Sequence, residues 1–267
     1  MSAGGAGTRP ASPPLPFVIG HRGAAAYAPE NTLAGFRAAK AMGCAWVEFD
    51  VRLTADGTPV LCHDDGLERT TNGSGHISKL PLAAVRQFDA GNWFGQGFIG
   101  ERVPVLAEAL ELCRELGLGA NIEIKAERGR GPATAGAVAA TLERLAGRLP
   151  PVLVSSFLPG AVAEMAEQTP SIPRAILYRK VPRDWATTAA RLGCSTVNAD
   201  QAYLSEPIAA DIRVAGYPLL AYTVNDPARA RQLFGWGVTS VFSDAPDIIL
   251  AVAASEFGNN ARRGATA

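Results

Sequence analysis

The sequence predicts an α/β fold, a (β/α)8 TIM barrel with a small loop-rich insertion after the second strand and its hairpin. Three observations carry this. Strand-like runs begin at residues 17, 45, 120, 151, 174, 195, 218 and 238, and helical patterns fall between them. Eight βα units in about 240 residues match the length of such a barrel. No GxGxxG follows the first strand, which argues against the doubly wound open sheet.

Taken in order, Phe17-Val-Ile-Gly-His21 is a short apolar strand that leaves His21 and Arg22 at its C-terminal end. Pro29-Glu-Asn-Thr32 opens a helix, with Thr32 or Asn31 as its cap and Gly43 as its stop. The 45–50 strand follows, so the chain begins with a strand–helix–strand unit. Along that second strand, Val47, Phe49 and Val51 point one way, and Glu48 and Asp50 point the other. Asp56-Gly57 is a hairpin turn signal, and the return strand at 59–62 brings His63 and Asp64 back beside Glu48 and Asp50. Residues 66–104 break the alternation with Gly73-Ser-Gly75 and Gly91-Asn-Trp-Phe-Gly-Gln-Gly-Phe98. They read either as a cap over the rim or as an excursion whose Trp93 and Phe94 tuck into a satellite cluster. Alternation then resumes with the strand Ala120-Asn-Ile-Glu-Ile-Lys125 and runs to a terminal helix at 246–255.

The expected organisation is a disordered leader over 1–16, a single barrel domain over 17–255 with its insertion at about 66–104, and a flexible tail over 256–267. The leader is Gly/Pro-rich and has no apolar h-region, unlike a signal peptide. With 25 basic and 25 acidic residues and no Lys/Arg-rich run, nothing draws the chain toward nucleic acid or acidic membranes. No stretch approaches a membrane span, so no stable membrane anchoring is expected. Cys44, Cys62, Cys113 and Cys194 lack CxxC spacing and read as reduced, buried thiols of a cytoplasmic protein.

In such a barrel the C-terminal strand ends line the active site. The first strand brings His21 and Arg22 there, the second Glu48 and Asp50 with His63 from its hairpin, and the third Glu123 and Lys125. Each has a plain structural alternative: a packed strand-end histidine, a wet hairpin face, a solvated ion pair. Their convergence on one rim is the argument for an enzyme. Three carboxylates offer hard oxygens suited to Mg²⁺ or Ca²⁺. Arg22 and Lys125 suit an anion such as phosphate, and two histidines suit general acid and base work near neutral pH. Together these imply a metal-assisted phosphoesterase.

The same residues carry a resemblance. His21-Arg22-Gly23 with Pro29-Glu-Asn-Thr32, Glu48-x-Asp50-Val51, the Asp56-Gly57 turn and His63-Asp64 resemble the glycerophosphodiester phosphodiesterase family. So do Asp89-Ala-Gly-Asn-Trp-Phe94, Glu123-Ile-Lys125, Ser155-Ser-Phe157, Tyr222-Thr-Val-Asn225 and Ser243-Asp-Ala-Pro246. The resemblance covers about residues 17–247 and looks like the cytoplasmic bacterial branch. It implies hydrolysis of small glycerophosphodiesters to sn-glycerol 3-phosphate and an alcohol. By the same resemblance, His21 and His63 are the acid–base pair, Glu48, Asp50 and Glu123 hold a divalent ion, and Arg22 and Lys125 contact the phosphate. Tyr222 stands where the family often has Trp, and Ser243 where Thr is common, both on the substrate side. Two other readings compete: a lysophospholipase-D-like or cyclising phosphodiesterase acting on lysolipids, and a catalytically inactive binding barrel. Which histidine is acid, which divalent ion is used, and the oligomeric state stay open.

Overall fold

Strands buried on both faces must be apolar on the outside and tolerate polar groups only inside the barrel, and this sets the pattern seen in a computed structural model that describes residues 9–258. Eight parallel strands close into a ring: β1 (Val18–Gly20), β2 (Trp46–Leu53), β4 (Gly119–Ile124), β5 (Val152–Ser156), β6 (Arg174–Tyr178), β7 (Thr196–Asp200), β8 (Leu219–Tyr222) and β9 (Ser240–Ser243). β3 (Pro59–Leu61) is the antiparallel return that lies on β2. Parallel pairing of β1 with both β2 and β9 closes the barrel. The helices α1 (Leu33–Ala41), α3 (Leu106–Leu116), α4 (Gly131–Arg144), α5 (Pro159–Gln168), α6 (Trp185–Arg191), α7 (Glu206–Val214), α8 (Pro227–Gly235) and α9 (Pro246–Phe257) form the outer layer, and a one-turn α2 (Leu82–Val85) lies in the insertion. All eight expected strands and the hairpin return are present at the expected places.

Two large apolar clusters fill the space between sheet and helices, one around β2, β4 and β5 and one around β7, β8 and β9. Inside the ring, Leu15, Ile19, Trp46, Leu153, Ala175, Leu220 and Phe242 make an apolar floor. Gly119 is required there, because a Cβ would sit 2.1 Å from the Trp46 ring. At the hairpin, Gly57 adopts φ 78°, as a tight turn demands.

The expected leader needs correction over residues 9–16, which run across the N-terminal mouth of the barrel. Arg9 Nη2 donates to Gly216 O at 2.7 Å, and its guanidinium lies 4.0 Å over the Tyr217 ring. Ser195 Oγ donates to Pro10 O at 2.9 Å, and Leu15 is buried in the floor. The barrel interior exposes apolar surface at that mouth, and a Pro-rich segment covers it at little entropic cost. Residues 1–8, the rest of that expected leader, lie outside the described residues. At the other end α9 extends into the expected tail: the Phe257 ring stacks on Phe17 at 4.1 Å between centroids. Residues 259–267 of that tail lie outside the described residues.

The insertion packs on a small cluster of its own, with Leu67, Ile77, Val85, Ala90 and Val103 against Val60 and Cys62 of the hairpin. Trp93 is 41% exposed, so it does not join that cluster; it meets Phe94 edge to face instead. All four cysteines are free and buried, and His76 is exposed. Among the described residues no helix is long and apolar enough to cross a membrane.

Candidate active site

Strand alternation delivers the acidic residues. Val47, Phe49 and Val51 pack outward into the helix layer, so Glu48 and Asp50 share the inward face of β2. β4 lies parallel to β2 in a register that sets Glu123 opposite Asp50 and Asn121 opposite Glu48. All three carboxylates are buried, and one oxygen from each lies within 4.8 Å of the others.

Two cations face this group. Lys125 Nζ is 2.6 Å from Glu123 Oε1 and 3.3 Å from Asp50 Oδ1. Arg22 follows β1 with a left-handed φ of 50°, an uncommon conformation for a long side chain. Its backbone N–H donates to Glu48 Oε2 at 3.0 Å and its Nη1 to Glu30 Oε1 at 2.8 Å, while Nε lies 3.3 Å from Asp50 Oδ2.

Each histidine has its own aspartate. His21 N–H continues the β1–β9 ladder by donating to Ser243 O, which fixes where the ring sits. Its Nδ1 is 2.6 Å from Asp244 Oδ1, and its Nε2 is 3.8 Å from Glu48 Oε2. Asn225 holds Asp244 in turn, donating from Nδ2 to Asp244 Oδ2 at 2.7 Å. His63 Nδ1 lies 2.7 Å from Asp64 Oδ1. Six of the seven residues singled out in the sequence thus touch one another. His63 makes no hydrogen bond to the acidic trio, yet it stands near enough for the Asp50 charge to act on it.

The electrostatics are uneven. Burial, then the neighbouring charges of Asp50 and Glu123, push the Glu48 carboxyl well above its ordinary value. Burial and Asp50 likewise push Glu123 up to about 7, against the pull of Lys125. Burial would raise Asp50 too, but the Lys125 and Arg22 charges outweigh it and hold Asp50 well below the usual carboxylate range. Lys125 and Arg22 therefore serve Asp50 first. For His63, burial is the largest effect and lowers its pKa, favouring the neutral ring.

The two cations do not balance the three carboxylates. Three buried carboxylates face two cations, one of which Glu30 shares, and Glu48 Oε1 is buried with no hydrogen-bond partner. A hard divalent cation would supply both the charge and a partner for that oxygen. The residues present fit such an ion.

The sequence motifs contain several supporting residues to which sequence reasoning assigns no role of their own. Asp244 had the signal of a polar residue just past the last strand, and Asp64 that of adjacency to His63. Asn31 was read only as a possible helix cap. Thr32 takes that role, its Oγ1 accepting from Gly35 N at 3.1 Å. Glu30 stands in the Pro29-Glu-Asn-Thr32 motif without an assigned role, and Arg69 carries no signal. Arg69, from the insertion, donates to both Glu30 oxygens at 2.7 and 2.8 Å and to Asp64 Oδ2. Through it the insertion reaches the partners of both Arg22 and His63.

Hard-oxygen donors beside two cations, at the C-terminal mouth of a (β/α)8 barrel, define the class: a barrel enzyme of phosphate-ester chemistry. The comparisons give the family. The glycerophosphoryl diester phosphodiesterase family model matches residues 21–248. The glycerophosphodiester phosphodiesterase of Bacillus subtilis (strain 168) is 31% identical over 255 residues, covering 89% of this chain and 86% of its own. A solved Oleispira antarctica phosphodiesterase, in complex with the product sn-glycerol-3-phosphate, superposes with a TM-score of 0.86 at 40% identity, covering 89% of this chain and 96% of that one. A glycerophosphodiester phosphodiesterase from Agrobacterium tumefaciens str. C58 gives 0.76 at 30% identity, covering 89% and 100%. The chain belongs to the glycerophosphoryl diester phosphodiesterase family and is an enzyme, a phosphoric diester hydrolase.

Proposed function

We propose that this chain hydrolyses small glycerophosphodiesters to sn-glycerol 3-phosphate and a free alcohol, with His21 and His63 as the acid–base pair. The observation that carries this reading is the pairing of each histidine's Nδ1 with an aspartate, His21 with Asp244 and His63 with Asp64. Such pairing fixes the ring and leaves Nε2 as the nitrogen that exchanges a proton with substrate. The His21 Nε2 points toward Glu48, which supports a place for the reacting phosphate beside the carboxylates.

Arg22 and Lys125 would contact the phosphate oxygens, Arg22 as a fork and Lys125 as a point charge. Both are already tethered to Asp50, so little side-chain freedom is lost when substrate arrives. Glu48, Asp50 and Glu123 would hold Mg²⁺ or Ca²⁺, since their oxygens are hard ligands and, among the described residues, the group includes no thiol or imidazole. Such an ion, when bound, supplies Lewis-acid charge stabilisation for the phosphoryl group. One histidine removes a proton from the attacking oxygen, and the other protonates the departing alkoxide. We read the buried free thiols as those of a cytoplasmic protein.

The test is release of glycerol 3-phosphate from glycerophosphocholine, before and after EDTA, then with Mg²⁺ or Ca²⁺ restored. Metal-restored release is the expected result. Absence of release with either ion, from folded protein, would overturn the reading.

A further inference from the structure

In the closed ring, β6 and β7 stand across the mouth from β1 and β2, and their ends carry a second set of cations. Along β6, Ala175 lies in the apolar floor, and Leu177 lines the opening that also holds His21, Glu48 and Glu123. Alternation sets Arg179, the next residue on that face, at the rim above Leu177. Tyr222 of β8 lines the same opening, and its hydroxyl donates to Tyr178 O at 2.9 Å. Burial, then the Asp200 and Glu123 charges, push that hydroxyl above its ordinary pKa, while the Arg179 charge pulls it down. Tyr222 is thus within electrostatic reach of both the trio and Arg179. The wall continues back to the trio, since Phe157 meets Tyr222 edge to face at 5.8 Å and Lys125 Nζ lies 5.6 Å over the Phe157 ring.

Two cations gather there on one ring. Tyr203, in the single turn Gln201–Tyr203 after β7, is 37% exposed. Arg179 Nη2 donates to Tyr203 Oη at 3.2 Å, and Lys180 Nζ lies 4.8 Å over the Tyr203 ring. Among the described residues neither cation forms an ion pair with a carboxylate. Asp200, the acid at the end of β7, instead caps the turn by accepting from Ala202 N at 2.9 Å. Like charges held side by side repel, and an anion between them relieves that repulsion. The Tyr203 hydroxyl accepts from Arg179 and keeps its own hydrogen to donate. A guanidinium, an ammonium and a phenol hydroxyl together suit a phosphate group. With the diester phosphate at Arg22 and Lys125, one of the two substituents on that phosphate extends toward this wall. Glycerol is uncharged, so only the alcohol half can bring an anion to it. We infer that Arg179, Lys180 and Tyr203 form a rim site for an anionic group on the leaving alcohol. The enzyme then favours glycerophosphodiesters whose alcohol carries its own phosphate. The inference rests on the hydrolase reading above.

The test compares kcat/KM of the metal-loaded enzyme on glycerophosphoinositol and on glycerophosphoinositol 4-phosphate, which differ by one phosphate. The wild type should favour the 4-phosphate by about tenfold, the size expected of two exposed cations acting together, and chiefly through KM. The preference should shrink in about 0.5 M NaCl, because exposed charges are screened. With Arg179→Gln and Lys180→Gln combined, the ratio should fall to near one while kcat/KM on glycerophosphoinositol holds. Arg179→Glu should bring the ratio below one, and it serves as the second variant if the double one does not fold. A wild-type ratio near one, a preference that salt leaves unchanged, or an unchanged ratio in a folded variant would overturn the inference. Equal losses on both diesters would overturn it too. Failure to release glycerol 3-phosphate from glycerophosphoinositol and glycerophosphocholine alike would instead sink the hydrolase reading, so the two failures are distinct.

Discussion

Asn31 and Asp50 are joined by two reciprocal hydrogen bonds: Asn31 Nδ2 donates to Asp50 Oδ2 at 3.0 Å, and Asp50 N–H donates to Asn31 Oδ1 at 3.0 Å. Asn31 makes both by adopting φ 57°, which Asn tolerates better than most residues. One side chain therefore fixes both the backbone and the carboxylate of the most strongly ionised member of the trio. Asn31→Asp keeps the left-handed preference and the acceptor but loses the donor, and adds a charge beside Asp50. The expected outcome is a loss of about 10- to 100-fold in divalent-metal affinity, the usual consequence of removing a ligand's supporting partner. Titration of metal by calorimetry checks this independently of turnover.

The trio's uneven ionisation makes stability depend on pH in two separate windows. Glu123 rises to about 7 in the fold from an ordinary 4.5, and Glu48 is also raised. The metal-free folded state therefore binds more protons than the unfolded chain between those values, and stability falls as pH rises through them. Asp50 and Asp244 are held below their ordinary values, so their stabilisation is present above about pH 4 and is lost as pH falls through their folded values. Melting temperatures of EDTA-treated protein should decline from about pH 5 to pH 7, and also below about pH 4. A saturating divalent ion should abolish the first decline and raise the melting temperature more at pH 8 than at pH 5. A flat metal-free profile between pH 5 and 7 would contradict the burial of uncompensated carboxylates.

The local part of this site was readable from sequence, and the non-local part was not. Glu48 and Asp50 were legible because alternation along β2 is a property of neighbours. The eight-strand count was legible because each βα unit repeats its own local signal. The partner of His21 is Asp244, 223 positions away. It becomes a neighbour only when β1 pairs with β9 and the ring closes, which no local pattern encodes. The same reason hid Arg69 and Glu30, 39 positions apart on two loops. Leu15 was misread because a Pro-rich terminus looks disordered until an open barrel mouth needs covering.

Arg69 ties the insertion to both sides of the site, yet its side chain is 45% exposed. Exposed ion pairs contribute about 0–1 kcal/mol to stability. Arg69→Met should therefore change the unfolding free energy by no more than about that amount, while kcat/KM falls by about tenfold as Asp64 and Glu30 lose their common anchor. Arg69→Lys, which keeps the charge without the fork, should recover only part of the loss. Denaturant unfolding set beside steady-state kinetics separates the two effects, and a proportionate loss of stability and activity would make Arg69 a purely structural residue.

The two histidine–aspartate pairs give the sharpest separation of chemistry from folding. His21→Ala and His63→Ala should each cost about 10²–10⁴ in kcat, the range for a general acid or base, while the melting temperature stays near that of the wild type. Asp244→Asn keeps the shape but offers an amide where His21 Nδ1 now meets a carboxylate. It should lower kcat more than it raises KM, because ring orientation and charge matter most when the proton moves. Asp64→Asn should do the same through His63. Leaving-group dependence then assigns the roles: replacing the choline alcohol by a good leaving group, such as a nitrophenol, makes protonation of the departing oxygen unnecessary. The histidine whose alanine variant is rescued on that substrate is the general acid, and the one that remains defective is the base. Equal defects on both substrates would mean that neither histidine protonates the leaving group.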